Sequence, residues 1–410
     1  MDEQAANSPK SDKSHPTPII EDVAWCWWTR PRATRIGEVV YFGALDSAGQ
    51  MIAATLDLNS HTVRKTILAG FEDDDHNNPA LVVDPDRPLV AFYSRHDEDD
   101  ALRFRRSLRP LDIGAWEAER VLKFGGLTTY AEVHPRGEEL HLFTRVDDTR
   151  WAYCRSPDWG KNWEVPRDFL AFDTDQEVYM ATVLLGDRRT VRMAVSGHPK
   201  EYREKPLHDV WAASIDLETG DIRPASGGEP VANLLTGENL PLDYRALEKV
   251  HRTAAGRTVN LFDVGDGPIF EIGFVDKVIG DDATLDARYH VTSFRDGAWR
   301  AEEIALAGDK FGYIDAGFYV GGVAFPDRSP GGRLYLTREE RGVWHFERWD
   351  RNASGRWQPT AMVPPGPTRL TRPWAITNAT PALEAVALML EHYGDSYYGT
   401  LSHLVGALAP

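Results

Sequence analysis

Short apolar runs separated by polar turns recur through nearly the whole chain. They are five to eight residues long, are bounded by Gly, Asp, Asn and Pro, and include E-V-V-Y-F-G-A-L, P-L-V-A-F-Y-S, L-H-L-F-T-R-V and T-V-N-L-F-D-V. Alternating or continuously apolar runs of this length are typical of β-strands, and helical spacing is almost absent. The one predicted helix is a short acidic and aliphatic stretch, Leu242–Lys249. The pattern therefore predicts an all-β protein.

The spacing of these runs indicates how the strands are organised. Units that start near residues 36, 76, 130, 179, 250, 315 and 369 divide the chain into seven segments, each with three or four strand candidates, as in propeller blades. We therefore predict a seven-bladed β-propeller, with a pair of β-sandwiches or a β-helix as the alternative. The last segment is one strand short. We expect the N-terminal run A-W-C-W-W to supply that strand and close the ring.

A local motif supports this interpretation. The run Ser156-Pro157-Asp158-Trp159-Gly160-Lys161-Asn162-Trp163 fits S-x-D-x-G-x-x-W, the Asp-box of sialidase-type propellers. In such a hairpin the Asp accepts backbone N–H bonds, the Gly adopts a positive φ and the Trp packs under the turn. A weaker form occurs at 295–299 (R-D-G-A-W). The motif indicates the fold and carries no chemistry.

Composition sets the class and the domain organisation. With 410 residues, of which 42% are hydrophobic, the chain can bury a large core. We expect residues 1–21 to be a disordered N-terminal tail and residues 22–408 to be a single propeller domain. Cys26 and Cys154 are too few for a disulfide framework, and we interpret them as buried free thiols.

Charge and hydropathy bound the partners. A net charge of −17 argues against nucleic acid or an anionic membrane as partner, and no stretch of eighteen apolar residues could span a bilayer. The first twenty residues are polar and do not resemble a secretory signal. We therefore expect a cytoplasmic monomer, or a secreted protein if a leader has been removed.

Candidate chemistry begins with two histidines. His76 and His96 stand at the two ends of a predicted strand pair, with the turn at 84–88 (D-P-D-R-P) between the strands. An antiparallel excursion returns the chain to its starting end, so both imidazoles are expected to face one pocket. The preceding run D-D-D at 73–75 is interpreted as a solvated or cation-binding turn.

The next two segments repeat this pattern. Tyr130 opens a strand where His76 stood in the previous segment, and Arg145 ends the returning strand as His96 does. Tyr179 opens the following segment, and His198 closes its hairpin. If the blades are equivalent, the first four of these groups meet at one mouth of the central channel.

These runs resemble a known family. D-D-H-N-N-P-A-L-V-V, F-Y-S-R-H, Y-A-E-V, L-F-T-R and T-R-P-W are similar to segments of the bacterial neuraminidase repeat (BNR) family of seven-bladed propellers, which includes ulvan lyases; related propeller lyases cleave rhamnosyl-glucuronate linkages. The resemblance spans roughly residues 36 to 400. It implies a site of two histidines, a tyrosine and an arginine, which fall on His76, His96, Tyr130 and Arg145.

Elimination at a 4-linked uronic acid suits these residue types. An arginine can hold the carboxylate while charge builds toward an enolate, a neutral histidine can take the C5 proton, and a tyrosine can protonate the leaving O4. Either histidine fits the base role. We expect an acidic oligosaccharide or polysaccharide substrate, ulvan-type or rhamnosyl-glucuronate. Further substrate contacts are expected at Asn77, Arg95, Tyr179, His198 and Tyr319.

Other activities and cofactors stay open at this point. A glycoside hydrolase, sialidase-like or rhamnosidase-like, would need an arginine triad or two carboxyl groups at a set separation. A non-catalytic carbohydrate-binding propeller would bind its ligand intact. The elimination requires no cofactor; zinc at the histidines, including His134 and His141 on an outer, solvated hairpin, or calcium at the acidic loops is the alternative.

Overall fold

The structure is a computed structural model that describes residues 16–174, 177–197, 208–278, 286–308, 321–328, 331–396 and 398–408. Almost all of its regular structure is β-strand, as the apolar pattern predicts. Two single 3-10 turns are the only helical elements in these ranges, at Asp75–Asn77 and Tyr244–Ala246. Across the same residues no helix has the length and apolarity that a membrane span needs.

The strands of the first half follow one another through short turns. In chain order they are β1 (Ala33–Ile36), β2 (Val39–Leu45), β3 (Gln50–Asp57), β4 (Val63–Gly70), β5 (Ala80–Val82), β6 (Pro88–Ser94), β7 (Ala101–Pro110), β8 (Arg120–Lys123), β9 (Thr128–Arg136), β10 (Glu139–Val146), β11 (Arg150–Ser156), β12 (Arg167–Ala171), β13 (Val178–Leu184), β14 (Thr190–Gly197), β15 (Val210–Asp216) and β16 (Asp221–Pro224).

The second half continues in the same way. Its strands are β17 (Ala232–Asn233), β18 (Leu242–Asp243), β19 (Glu248–His251), β20 (Arg257–Val264), β21 (Glu271–Val278), β22 (Ala287–Arg295), β23 (Ala298–Gly308), β24 (Val323–Ala324), β25 (Arg333–Glu340), β26 (Val343–Arg351), β27 (Trp357–Ala361), β28 (Arg369–Thr380), β29 (Leu383–Ser396) and β30 (Tyr398–Gly406).

The predicted helix over Leu242–Lys249 is wrong. That stretch contains β18, one 3-10 turn capped by the Asp243 carboxylate, and the start of β19. Leu242 pairs with Leu170 and Lys249 pairs with Trp211, so both ends add to the edges of neighbouring sheets. Tertiary pairing outweighs the weak local preference for helix.

The strands form antiparallel sheets in which neighbours along the chain are paired. Three sheets have four strands, in the orders β5-β6-β7-β8, β20-β21-β22-β23 and β24-β25-β26-β27. Two larger sheets contain β9 to β12 with β18, and β13 to β17 with β19. The last sheet joins β28, β29 and β30 to β1 through β4, because β1 and β28 pair in parallel at Thr34 and Thr377.

The first strands of successive sheets contact each other in chain order. β5 contacts β9, β9 contacts β13, β13 contacts β20, β20 contacts β24, and β24 contacts β28. β28 pairs with β1, and β2 contacts β5. We call the end where β9, β13 and β28 begin the front end, and the end where they finish the back end.

The N-terminal segment first runs beside β30 and then turns inward, and the sequence pattern does not distinguish these two parts. Ile19 and Ile20, expected to lie in the tail, bond through their backbone N–H groups to the Leu404 carbonyl, and Val23 bonds to Ser402, so this stretch runs along the outer side of β30. The run A-W-C-W-W, expected to be the added strand, follows that stretch and turns inward. The prediction that A-W-C-W-W forms the added strand is wrong, and residues 19–23 instead make the backbone bonds to β30.

Residues 24–32, here called the central segment, run among the first strands of the sheets. The Arg30 backbone N–H donates to Ala131 of β9, its guanidinium donates to the Thr182 carbonyl of β13 at 3.2 Å, and it pairs with Asp263 of β20 at 2.6 Å. Arg372 of β28 donates to the Trp25 carbonyl. The segment is almost wholly buried, so it fills the space that the first strands surround.

The hairpin at 156–163 has the local geometry expected of its motif. The Asp158 carboxylate accepts from the Asn162 backbone N–H at 2.7 Å, and Gly160 has a φ of +82°. The Ser156 hydroxyl accepts from the Gly160 N–H at 2.7 Å. Trp163 packs edge-on against Phe92 of the neighbouring sheet. The turn therefore ties two sheets together at their outer side.

Two histidines that were expected in solvent are buried. His134 and His141 pair across β9 and β10, and they are 5% and 0% exposed. His134 bonds to the Thr182 hydroxyl at 2.6 Å, and His141 bonds to the Tyr153 hydroxyl at 2.8 Å. Burial lowers the pKa of His134 to about 3 and that of His141 to about 4, so both are neutral core residues. Both cysteines are buried and free, as predicted.

Candidate active site

His76 is held at the front end by a capped 3-10 turn. The turn spans Asp75–Asn77 just before β5, and the Asp74 carboxylate caps it by accepting from the His76 backbone N–H at 2.9 Å. The same carboxylate oxygen meets His76 Nδ1 at 2.5 Å. A residue that was expected in a solvated turn is therefore 2% exposed and fixes both the backbone and the ring of His76.

His96 reaches the same carboxylate from the end of β6. Its Nδ1 lies 2.8 Å from the second oxygen of Asp74. Its backbone N–H donates to the Asn77 side-chain oxygen at 2.7 Å, which ties the end of this hairpin to its beginning. The two histidines meet as expected, because their rings stack with centroids 4.2 Å apart and planes within 14°.

The shared carboxylate decides the tautomers of both rings. With Nδ1–H of each histidine directed at Asp74, both Nε2 atoms carry the lone pair when the rings are neutral. Two stacked imidazolium ions at this distance would repel each other, so we infer that the pair holds at most one extra proton.

The pKa values of His76 and Asp74 are both moved from their ordinary values. Burial acts to lower the pKa of His76. The negative charges of Asp74 and, to a smaller extent, Asp75 outweigh burial, so the pKa of His76 is raised. Burial acts to raise the pKa of Asp74, yet the two histidines hold it well below its usual range. Asp74 is thus an anion at neutral pH, and His76 holds a proton more tightly than a free imidazole does.

Tyr130 owes its position to a β-bulge. The register between β9 and β10 slips between Phe143 and Arg145, and Tyr130 has a φ of +63°. A positive φ is an outlier for a bulky aromatic residue, and bulges re-aim side chains beside functional sites. The Thr144 hydroxyl donates to the Tyr130 carbonyl at 2.8 Å and holds the bulge. The ring centroid lies 5.8 Å from that of His76.

Arg145 completes the group from β10. Its guanidinium lies over the Tyr130 ring at 4.8 Å and the Tyr179 ring at 5.3 Å. Its Nη2 lies 3.5 Å from His96 Nε2, and the side chain is 1% exposed. Burial acts to lower the pKa of Arg145, but the flanking tyrosines and acidic groups raise it, so it remains a cation. The four predicted groups therefore meet at the front end.

Two acidic groups flank this guanidinium. Asp148 lies 3.0 Å from Arg145 Nη2 and is half exposed, and Glu177 lies 3.8 Å from Nη1. Asp97 lies 3.6 Å from His96 Nε2 and is also half exposed. The exposed carboxylates of Asp97 and Asp148 mark the side from which the buried groups can be approached.

A buried ion pair supports the site from below. Asp75 is 1% exposed and lies 2.5 Å from Nη1 of Arg372, which sits at a second positive-φ position on β28. Asp75 also lies 3.2 Å from His76 Nδ1. Since β28 belongs to a different sheet, this pair fixes the His76 turn relative to that sheet.

The five expected substrate contacts have different outcomes. Asn77 is fully buried and accepts from the His96 backbone N–H, and its role as a substrate contact stays a prediction. Arg95 lies at the rim, where it pairs with Glu72 and packs over Phe71. Tyr179 is buried, stacks on Trp28 at 4.4 Å and backs Arg145. His198 and Tyr319 lie outside the described residues.

Asp74, His76 and His96 bring three potential metal-ligating atoms together. Ligands around a tetrahedral zinc at about 2.0 to 2.2 Å stand about 3.3 Å apart. The two nitrogen–oxygen distances here are 2.5 and 2.8 Å, which are hydrogen-bond lengths. In this structure the Asp74 carboxylate joins the two rings through hydrogen bonds.

Sequence reasoning missed two functional candidates, Asp148 and Glu177, and did not predict that Asp74 supports the histidines. Asp74 stands two residues before His76, where an aspartate is a common helix cap, and that signal could have identified it. Asp148 and Glu177 give no such signal, because only the fold brings them to Arg145.

Comparison with known proteins supports the resemblance. Residues 24–214 match the sequence profile of a family described as "BNR repeat-containing family member". No curated protein sequence matches the chain.

Three solved structures share the fold. One described as "a new family of Polysaccharide lyase PL25-Ulvanlyase" is 14% identical, with a TM-score of 0.72 and 96% of each chain covered. A structure of that enzyme "bound to -[GlcA(1-4)Rha3S]-" is 14% identical, with a TM-score of 0.71 and coverage of 95% and 96%. "Polysaccharide lyase Uly1" is 11% identical, with a TM-score of 0.56 and coverage of 96% and 100%. The N-terminal half of the chain thus matches a BNR-repeat family, and the fold is similar to that of ulvan lyases.

Proposed function

We propose that this protein is a lyase that cleaves a 4-linked uronic acid in an oligosaccharide or polysaccharide by β-elimination. The observation that carries the proposal is one constellation: Arg145 over the Tyr130 ring, with its guanidinium 3.5 Å from His96 Nε2. A carboxylate anchor, a proton acceptor and a phenol thus adjoin one another. These are the three groups that the elimination needs.

Arg145 is proposed to bind the uronate carboxylate. Its guanidinium is a permanent cation with a planar set of donors that suits a carboxylate. Asp148, which holds Nη2 and is half exposed, would be displaced or pushed aside by the incoming carboxylate. Binding there withdraws charge from C5 and makes its proton more acidic as the enolate develops.

His96 is proposed to be the base. Its Nε2 carries the lone pair, because Nδ1–H is directed at Asp74, and it lies beside the carboxylate anchor. His76 is stacked against it, and Asp74 raises the pKa of His76. Asp74 is then a positioning residue for both rings.

Tyr130 is proposed to be the acid. His96 takes the C5 proton, the C5–H electrons form the C4–C5 double bond, and the C4–O4 bond breaks as the Tyr130 hydroxyl protonates O4. The products are a 4,5-unsaturated uronate and a new hydroxyl on the departing sugar. His96 then releases its added proton to solvent, and the Tyr130 phenolate takes a proton from solvent. No other reactant is consumed.

The substrate class is proposed from the site and its relatives. A cation held at the front end of an otherwise acidic protein suits a local carboxylate, not a general anionic surface. The related ulvan lyase was solved with a -[GlcA(1-4)Rha3S]- ligand, which contains such a carboxylate. A uronate linked at O4 to rhamnose is therefore the first substrate to test.

We also propose seven blades in one domain over residues 22–408. Six sheets contain the strands, and the largest of them divides at the single parallel contact between β1 and β28 into two blades. The stretch at 19–23 then serves as the outer strand of the last blade beside β30. A closed ring leaves no long exposed strand edge.

The test is a screen of uronate-containing glycans for the ultraviolet absorbance of a 4,5-unsaturated product. We expect that product from the native chain. Tyr130→Phe should reduce the rate by at least about 10²-fold, since a positioned acid contributes about 10² to 10⁴. Tyr41→Phe is the matched control, because the Tyr41 hydroxyl bonds to the Leu111 carbonyl on another sheet.

The other outcomes separate the alternatives. Release of a saturated reducing sugar without a new chromophore would identify a glycoside hydrolase and refute the elimination. Tight binding of intact glycan with no product would identify a carbohydrate-binding propeller. Equal rates for Tyr130→Phe and Tyr41→Phe would remove Tyr130 from the chemistry.

A further inference from the structure

A second cavity lies at the back end of the ring. It has a volume of about 250 Å³ and is lined by the ends of β5, β9 and β13 and by the turns at 266 and 327–328. A smaller cavity of about 70 Å³ adjoins it and shares Arg30, Asp266, Asp327 and Trp374 with it. Neither cavity contacts the four candidate catalytic groups.

The central segment separates this cavity from the candidate active site. Arg30 forms its floor and is held by Asp263 at 2.6 Å and by Glu132 at 3.4 Å. Trp25 and Trp28, on the same segment, are fully buried between the two ends. The back cavity is therefore a separate compartment and not an extension of the front site.

The lining combines hydrogen-bond acceptors with donors. Asp266 and Asp327 supply carboxylates, each anchored by one backbone N–H, from Arg328 at 2.7 Å and from Asn378 at 2.8 Å. Burial and the neighbouring Asp266 raise the pKa of Asp327. Trp374 presents a buried indole N–H that has no acceptor among the described residues.

Cations and an apolar wall complete the lining. Arg188 and Arg328 are exposed at the rim, and Arg30 lies beneath. Val82, Val83 and other aliphatic side chains of the strand ends form one wall. An anion would be repelled by two carboxylates, and a cation would be repelled by three guanidinium groups. The lining therefore does not favour a charged ligand of either sign.

We propose that the back cavity binds one neutral sugar ring. A hydroxyl group both donates and accepts, so a polyol can use the carboxylates and the N–H groups together. The C–H face of a sugar suits the aliphatic wall. The volume falls below the roughly 300–1,000 Å³ of pockets for drug-sized ligands, which limits the occupant to a small ring. This proposal does not depend on the activity of the front site.

The test is saturation-transfer NMR on the full chain with the methyl glycosides of rhamnose, glucose and xylose, and with methyl glucuronide as the charged comparison. We expect transfer from at least one neutral glycoside, with weaker transfer from the glucuronide. Asp327→Ala should weaken the neutral ligand at least fivefold. Val183→Trp, which fills the cavity from β13, should abolish its binding.

His76→Ala is the matched control, because it alters the front site and should leave neutral-sugar binding unchanged. Thermal melts of each variant establish that it folds. The proposal is overturned if no neutral glycoside shows transfer, if His76→Ala removes the transfer, or if folded Asp327→Ala and Val183→Trp both retain it. Stronger binding of the glucuronide than of every neutral ligand would also overturn it.

Discussion

Replacing Asp74 with Asn tests how the histidine pair works. The carboxylate accepts from His76 Nδ1 at 2.5 Å and from His96 Nδ1 at 2.8 Å. An amide of the same shape has one oxygen, so it can accept from only one ring and presents N–H to the other. The second ring must then place its proton on Nε2, and the pair loses one of its two outward lone pairs.

The expected cost follows from those two bonds. Each charge-assisted hydrogen bond is worth about 1.5 to 3 kcal/mol, so the variant should lose about 2 to 4 kcal/mol of stability after its remaining bond is counted. If the forced tautomer falls on His96, the base function is lost and the rate falls by about 10² to 10⁴-fold.

The effect of Asp74→Asn on stability should also depend on pH. The lowered pKa of Asp74 stabilises the native chain above about pH 4, and this stabilisation is lost as pH falls through the lower native value. The raised pKa of His76 stabilises the chain below about pH 6.5, and this is lost as pH rises through the higher native value. The melting-temperature difference between native chain and variant should therefore be largest near pH 5 to 6.

The assays are thermal melts across pH, product absorbance, and NMR titration of the histidine ring protons. Asp84→Asn is the matched control, since Asp84 lies at the other end of the same hairpin and pairs with Arg87 at 3.1 Å. Asp74→Asn with more than a tenth of native activity, an unchanged His76 titration and a pH-independent melting difference would refute the shared-carboxylate reasoning.

Three further outcomes are expected. Arg145→Lys, which keeps the charge and loses the planar fork, should lower kcat/KM by at least about 10²-fold, whereas Arg103→Lys should not. Asp148→Asn removes the acid that competes for Arg145, so KM for a uronate should fall about fivefold, for about 1 kcal/mol; an increased KM would contradict this. Burial raises the pKa of Glu132 to about 7. Its contribution to stability is therefore present below about pH 4.5 and lost as pH rises through 7, and Glu132→Gln should flatten the melting temperature between pH 5 and 8; an unchanged slope would count against it.

Much of the fold and the core of the candidate site follow from local sequence. β5 and β6 form where the apolar runs predict them, with the turn at 84–88 between them. Because a hairpin brings its two ends together, the spacing of His76 and His96 was enough to predict that their rings meet. The equivalence of successive segments extended this to Tyr130 and Arg145, since repeated units place matching positions at the same end of the ring.

Other features depend on residues that are far apart in the chain. Asp74 and Asp75 of the three-aspartate run are buried, because Arg372 from the last sheet neutralises Asp75 and the two histidines contact Asp74. Likewise His134 and His141 are buried by strands that their own hairpin does not contain. A polar residue cannot be recognised as buried from its local sequence when its partners lie far away in the chain.

The sequence by itself determined the strands, their short hairpins and the end of each hairpin at which the chemical groups lie, because hydrogen-bond pairing between neighbouring strands is local. The tertiary structure alone decided that the tryptophan-rich N-terminal segment fills the centre, with Arg30 bound to Asp263, and that a bulge turns Tyr130 toward His76. It also created the back cavity, whose walls come from seven stretches of the chain. These features arise only when the sheets pack together, since burial and charge pairing between them depend on several sheets at once.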